Sequence, residues 1–191
     1  MIMLRRSSIE SELFPNVQNL VEISKISKNL KILKQFHPDI TTHCADLSVR
    51  SDWIKFFESA STVVMLQAQI GGNVHSQFID NNIASTRLII EEIIRNKIPN
   101  VVHISSSVVE SIAEDFYTET KTEQEKLVLG SGISCPILRP TLMFGWFDRK
   151  HLGWLSRFMR QVPVFPVPGN GQYMRQPLYV GDFCNVILSC I

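Results

Sequence analysis

A run of three serines, then a tyrosine and a lysine, lies within one short stretch, Val101 to Lys121, which reads VVHISSSVVESIAEDFYTETK. Ser105, Ser106 and Ser107 close an apolar run; Tyr117 follows ten residues after the last serine, and Lys121 four after that. A phenol titrates near ~10 and is a poor proton carrier at neutral pH. An ammonium beside a phenol favours the phenolate, which would fit Tyr117 for general acid–base work. A serine hydroxyl would hydrogen-bond a substrate oxygen as its charge changes. A tyrosine and a lysine at this spacing also suit a plain solvated helix face, so the pair gains weight only from the elements that hold it.

Those elements are readable. An apolar run that stops at small polar residues predicts a buried parallel strand reaching the top of a sheet. The segment from there to about Leu129 has neither Gly nor Pro and predicts a helix, on which residues i and i+4 share one face. Open α/β sheets place their chemistry at such strand ends. Ser followed by Tyr-x-x-x-Lys after a strand resembles the short-chain dehydrogenase/reductase superfamily, in particular its extended branch of NAD(P)-dependent epimerases and dehydratases. The resemblance implies Tyr117 as acid and base, Lys121 as its electrostatic partner and ribose ligand, and Ser107 as hydroxyl anchor. The interval from Ser107 to Tyr117 is shorter than in most extended members, and Ser105 and Ser106 stand as alternatives to Ser107.

Composition sets the bounds. With 191 residues, 45% of them hydrophobic and 19% charged, the chain has the makings of one globular domain with a sizeable core. A formal net charge of +1 gives no argument for nucleic acid. Cys44, Cys135, Cys184 and Cys190 show no C-x-x-C pairing and no matching His spacing, which argues against a zinc site and fits a reducing, cytoplasmic setting. No apolar stretch reaches membrane-spanning length. The start, MIMLRRSS, places its charges after the apolar run, the wrong order for a signal peptide.

The first glycine is Gly71. The extended dehydrogenase-like proteins open with a strand, a Gly-rich turn and a helix that approach the cofactor pyrophosphate, and the expectation is that this first βα unit is missing. MIMLRR then resembles the family's second strand, with Arg5 or Arg6 placed to pair with the 2′-phosphate of NADP. Val17 to Phe36, with Leu20, Ile23, Ile26, Leu30 and Leu33 at helical spacing, predicts an amphipathic helix. Ile40 to Cys44 reads as a strand, and CADL resembles the third strand end that meets the adenine, which makes Asp46 a cofactor candidate or an ordinary cap. Ser51 to Ser59 predicts a helix. STVVML followed by QAQIGG resembles the fourth strand and its small-residue crossover, where Ala68, Gly71 and Gly72 would let backbone approach the cofactor. NNIASTRLIIEEII resembles the helix behind the active site, with Asn82 fixing backbone near the lysine.

Farther on, Gly130, Ser131 and Gly132 stop the helix and Ile133 to Leu138 reads as a strand. Leu138-Arg139-Pro140 with Met143-Phe144-Gly145 resembles the segment whose backbone, after Pro140, approaches the nicotinamide. Asp148 to Gln161 predicts a basic amphipathic helix over the substrate cleft. Gly169, Gly171, Arg175, Val180 and Asp182 fall on a further family segment, in which Arg175 would meet a sugar-nucleotide phosphate. The chain ends within an apolar helix, as a truncated one would.

The expected fold is a Rossmann-like three-layer α/β sandwich on a mostly parallel sheet, residues 1–140 forming a partial dinucleotide-binding core, 141–175 the start of a substrate-binding part and 176–191 a return to the core. With its first strand absent, the second and fourth strands would face a gap. The resemblance runs in order from about Ile40, with residues 7–39 matching poorly. It implies NAD or NADP as cofactor, a nucleotide-sugar-like small molecule as partner, and allows a homodimer. The readings that follow are part of an epimerase, dehydratase or reductase that by itself binds NAD(P)H weakly or not at all and is inactive, or a non-catalytic nucleotide-binding or assembly subunit of the same fold, or a defunct fragment. Retention of Ser107, Tyr117 and Lys121 favours the first and absence of the Gly-rich turn the other two.

Overall fold

A computed structural model describes residues 2–5, 18–145, 148, 151–166, 169–172 and 174–191. They form two compact units, one running up to Leu138 and the other from Arg139 to Cys190.

The first unit carries a six-stranded sheet in the order β3-β2-β1-β4-β5-β6. Its strands are β1 (Ile2–Arg5), β2 (Gln18–Ser24), β3 (Thr41–Cys44), β4 (Thr62–Met65), β5 (Asn100–Ile104) and β6 (Ile137–Leu138). Between them run α1 (Ser27–Phe36), α2 (His75–Phe78), a single π-helical stretch Ile79–Ala84, α3 (Ser85–Arg95) and α4 (Phe116–Gly130). Short 3₁₀ turns stand at Asp52–Phe56 and Ser107–Glu110. β2 pairs parallel with β3, β4 with β5, and β5 with β6. Every residue of β4 is buried, as are the last four of β5, which is why both read as unbroken apolar runs covered on two faces. Ile23, Trp53, Phe57, Val63, Met65, Ile89 and Ile93 pack into one core around them.

Two expectations are corrected here. The stretch from Val17 to Phe36 is not one helix: Gln18–Ser24 is a strand, and the helix begins only at Ser27. MIMLRR is accordingly not the second strand, and no gap opens between the second and fourth. β1 lies between β2 and β4 and runs antiparallel to both. Bare strand edges in a sheet interior would leave backbone groups without partners, and an extended segment of either direction satisfies them. Because β1 is antiparallel, Leu4 pairs with Thr62 and Arg5 with Gln18, so Arg5 stands at the amino ends of β2 and β4. Other elements are shorter than the sequence predicts: one 3₁₀ turn in place of a helix over 51–59, and two strand residues in place of six before Arg139.

The second unit holds β7 (Leu142–Phe144) paired parallel with β8 (Pro177–Tyr179), α5 (Leu152–Met159) and α6 (Val180–Ser189). The Asp148 carboxylate accepts from the His151 and Gly153 backbone N–H groups at 2.9 and 2.8 Å and so caps α5. Gly145 has φ +134°, and a Cβ there would lie 2.6 Å from Val180 Cγ1; only glycine fits.

Candidate active site

The reactive end of the first unit is the carboxyl edge of its parallel strands. After Ile104 the backbone N–H of Ser105 donates to Leu138 O at 2.8 Å, and the chain leaves the sheet through the three serines. Their hydroxyls divide. Ser105 is buried and donates to Glu125 Oε2 at 2.6 Å. Ser106 Oγ accepts from the Val108 N–H at 3.4 Å and caps the 3₁₀ turn. The Ser107 hydroxyl has no partner among the described residues. α4 then starts at Asp115, whose carboxylate accepts from the Thr118 N–H at 2.7 Å, a cap that the sequence around Phe116 invites.

Tyr117 and Lys121 are one turn apart on α4. The phenol is half-buried, whereas Lys121 is only 1% exposed. Its ammonium donates to Ile104 O at 3.0 Å and to Gln124 Oε1 at 2.5 Å. Burial pulls its pKa from 10.5 down to about 8, with the Glu125 carboxylate pulling the other way. The inward face of α4 is polar: Thr118, Thr120, Lys121, Gln124 and Glu125 are buried with Val128. His103, on β5, is fully buried, and neither ring nitrogen has a hydrogen-bond partner among the described residues. Burial, and then the nearby Lys121 charge, hold its pKa down at about 3.

Beside this lies a cleft of about 160 Å³ at the carboxyl ends of β2, β3 and β4, walled by Ser24, Lys25, Ile26, Asp46, Ala68 and Gln69 among others. The strand order reverses here, with β3 on one side and β5 and β6 on the other, and at such a switch open α/β sheets bind ligands. Asp46 Oδ1 accepts from the Ser48 N–H at 3.0 Å and from its hydroxyl at 2.6 Å, and Lys25 pairs with Oδ2 at 2.5 Å. Burial pushes the Asp46 pKa up, but these partners outweigh it and the net direction is down.

The structure therefore brings Asp46 and Ala68 together in one cleft and Tyr117 and Lys121 onto one helix, with the serine cluster at the adjoining strand end. Asn82 is not among the residues that line this cleft: its side chain accepts from the Gln69 N–H at 2.7 Å and donates to Thr120 Oγ1 at 2.9 Å, pinning the crossover after β4 to α4. Gly71 has open space around it, and the positive φ belongs to Gly72. Arg5 stands at the opposite end of the sheet, and Arg6 lies outside the described residues. Pro140 is buried and Arg175 exposed, both in the second unit. Sequence reasoning missed Lys25, Gln124, Glu125 and His103. Lys25 was hidden because the strand end it follows was taken for helix. The others were hidden because apolar spacing does not register a buried polar face.

The model of the NAD dependent epimerase/dehydratase family matches residues 15–191, so the match includes β2 and α1 as well as the segments after Ile40. No curated protein matches the chain. Among solved structures, the chain is similar to the UDP-glucuronic acid 4-epimerase from Bacillus cereus in complex with NAD. There the TM-score is 0.75 at 20% identity, covering 88% of this chain and 64% of that one. It is also similar to MoeE5 in complex with UDP-glucuronic acid and NAD, at TM-score 0.68 and 20% identity over 89% and 71% of the two chains. A third likeness is to a double mutant of DesIV, a dTDP-glucose 4,6-dehydratase from Streptomyces venezuelae, with NAD and DAU bound. Its TM-score is 0.69 at 15% identity over 90% and 62%. The chain thus spans under two thirds of the first and third of these. At such identities the likeness is one of fold. No helix among the described residues is long and apolar enough to cross a membrane.

Proposed function

Because the chain belongs to the NAD-dependent epimerase/dehydratase family, we propose that its serine, tyrosine and lysine serve NAD(P)-dependent epimerisation, dehydration or reduction of a nucleotide sugar. The observation that carries this reading is the placement of Lys121. It is buried one turn beyond Tyr117, with its ammonium held at the carbonyl that ends β5, the strand from which Ser107 emerges.

The cleft suits the adenosine end of a dinucleotide: Asp46 offers a carboxylate acceptor, Lys25 a cation, and Ala68 a wall without bulk. Lys25 directly follows the second strand and takes the part that the sequence reading gave to Arg5 or Arg6, meeting a 2′-phosphate. The cofactor, when bound, would supply the hydride chemistry, accepting a hydride from the substrate or giving one to it. The rest falls to the chain. Tyr117 exchanges a proton with the substrate's alcohol or carbonyl oxygen. Ser107, whose hydroxyl has no partner among the described residues, donates to that same oxygen. Lys121 keeps a positive charge beside the phenol in surroundings where solvent screens it little. The nucleotide-sugar class comes from the family and from the UDP and dTDP sugars named for its structural relatives, and Arg175 is the candidate for the phosphate.

Steady-state turnover of UDP- and dTDP-hexoses with NAD and NADP tests the reading. Tyr117→Phe should lower turnover by about 10²–10⁴-fold and leave NAD(P)H fluorescence titrations unchanged, since the ring still packs. Near-normal turnover in Tyr117→Phe would overturn the mechanism and leave a binding or assembly role.

A further inference from the structure

Gln124 sits on α4 three residues beyond Lys121 and is fully buried. Its amide has only one workable orientation. An ammonium donates and cannot accept, so the oxygen must be the atom facing Lys121 Nζ at 2.5 Å. The nitrogen then faces Thr86 Oγ1 on α3 at 2.8 Å and the Gln67 carbonyl oxygen at 3.4 Å. Thr86 Oγ1 donates onward to Asn82 O at 2.6 Å and also accepts from Gln67 Nε2 at 3.0 Å, so its hydroxyl is fully used. One line of hydrogen bonds therefore joins the Lys121 ammonium, through Gln124, to α3 and to the residue that leaves β4 and walls the cleft.

We propose that Gln124 is a positioning residue: its amide fixes the Lys121 ammonium and ties it to the Gln67 crossover beside the cofactor cleft. The proposal rests on the role given to Lys121 above. A lysine side chain has much rotamer freedom to lose on being ordered, and apart from Gln124 the bond to Ile104 O is what orders this one. The chemistry of the amide matters as much as its reach. It accepts from the ammonium without neutralising it, so the full positive charge stays available to the phenol. The carboxylate of the next residue, Glu125, accepts from the Ser105 hydroxyl, and its charge favours the ammonium. The other titratable group of this cluster is His103 on β5, which burial keeps neutral.

The test is an NMR pH titration of the chain carrying ¹³Cε-lysine, with the Lys121 resonance assigned by its loss in Lys121→Arg. Two variants bracket the wild type. Gln124→Glu puts a negative charge against Nζ and should raise the Lys121 pKa by about 1–3. Gln124→Met keeps length and removes the acceptor, and should lower that pKa and broaden the resonance as the side chain gains freedom. If Gln124→Met fails to fold, Gln124→Glu decides alone, since it differs by one atom. Lys121 titrating at the wild-type pH in the folded variants would overturn the proposal, because a merely space-filling residue would leave it there. NAD(P)H binding by the wild-type chain is a separate arm. Its failure bears on the cofactor reading alone and leaves the titration to decide the place of Gln124.

Discussion

Two groups of polar side chains lie at the carboxyl edge of the same sheet and obey opposite rules. Under α4, His103, Ser105, Lys121, Gln124 and Glu125 are all buried, and bonds from α4 reach β5, α3 and the crossover after β4. At the rim of the cleft, Lys25 and Asp46 pair at a comparable 2.5 Å, but their side chains are 57% and 33% exposed. Short distances therefore say little about energy. In the dry group each charge has lost its water, so protonation becomes part of folding. At the rim water competes for the same contacts. The proposed chemistry sits on the dry group, where folding sets the geometry. The proposed ligand contacts sit on the wet one, where groups exchange partners cheaply.

The largest consequence belongs to His103. Its pKa falls from 6.5 in the open chain to about 3 when folded, so between those values the unfolded chain binds a proton that the native state refuses. Stability contributed by this residue is complete above pH 6.5 and drains away as pH falls toward 3, by on the order of 5 kcal/mol across the window. At pH 4.5 the loss should be about 2–3 kcal/mol, read as a lower urea midpoint than at pH 7. His103→Leu should flatten that dependence. Equal acid sensitivity in the variant would mean that His103 is solvated, and the dry side of the comparison would lose its clearest member.

Lys121 gives the alkaline counterpart. With the folded pKa near 8 against 10.5, the native state gives up its proton first as pH rises. Its contribution is greatest above 10.5 and is lost as pH falls to 8. Urea unfolding should thus show stability rising by about 3 kcal/mol between pH 8 and 10.5, superposed on whatever other groups do. Lys121→Met should remove that rise. A profile identical to wild type would place the ammonium in water.

Asn82 tests the bonding of the dry group without charge. Its amide serves the Gln69 N–H and Thr120 Oγ1 from a fully buried position. Asn82→Ala should cost about 1–3 kcal/mol, the usual penalty for leaving buried polar groups unpaired, and should speed amide hydrogen exchange at Gln69. A loss below about 0.5 kcal/mol would show that water replaces the amide there.

How much of this was legible in the sequence follows from the same division. The buried strands β4 and β5 announce themselves as apolar runs and the serines mark where β5 ends, whereas Asp46 and Ala68, which both line the cleft, are picked out by the family resemblance. β2 was illegible because Leu20, Ile23, Ile26, Leu30 and Leu33 keep a three-to-four spacing straight across the strand–helix junction, with no Gly or Pro at Ser24-Lys25-Ile26-Ser27 to mark it. The direction of β1 could not be read from its own residues, since an extended segment of either direction would satisfy the edges of β2 and β4 between which it lies. On α4 the buried stripe through Thr118, Lys121, Glu125 and Val128 has helical spacing but polar types. Patterning arguments count apolar residues and pass over it.

The rim should yield the smallest effect on folding and the most informative one on binding. Lys25→Ala removes a pair whose members both keep contact with water, so its cost should stay within about 0–1 kcal/mol and shrink further at high salt. Asp46 loses one of the partners that hold its pKa down, though Ser48 continues to serve it, so the loop keeps its shape. What should change is the discrimination between cofactors. A cation directly after the second strand attracts a 2′-phosphate and is of little use to a bare ribose hydroxyl. Fluorescence titration should therefore find NADPH weakened by about 0.5–1 kcal/mol and NADH unchanged or slightly improved, as Asp46 is freed to accept from the ribose. If both cofactors weaken equally, Lys25 acts only through the loop. If neither changes, the adenosine end does not lie in this cleft, and the difference between a dry reaction centre and a wet binding rim would no longer describe this molecule.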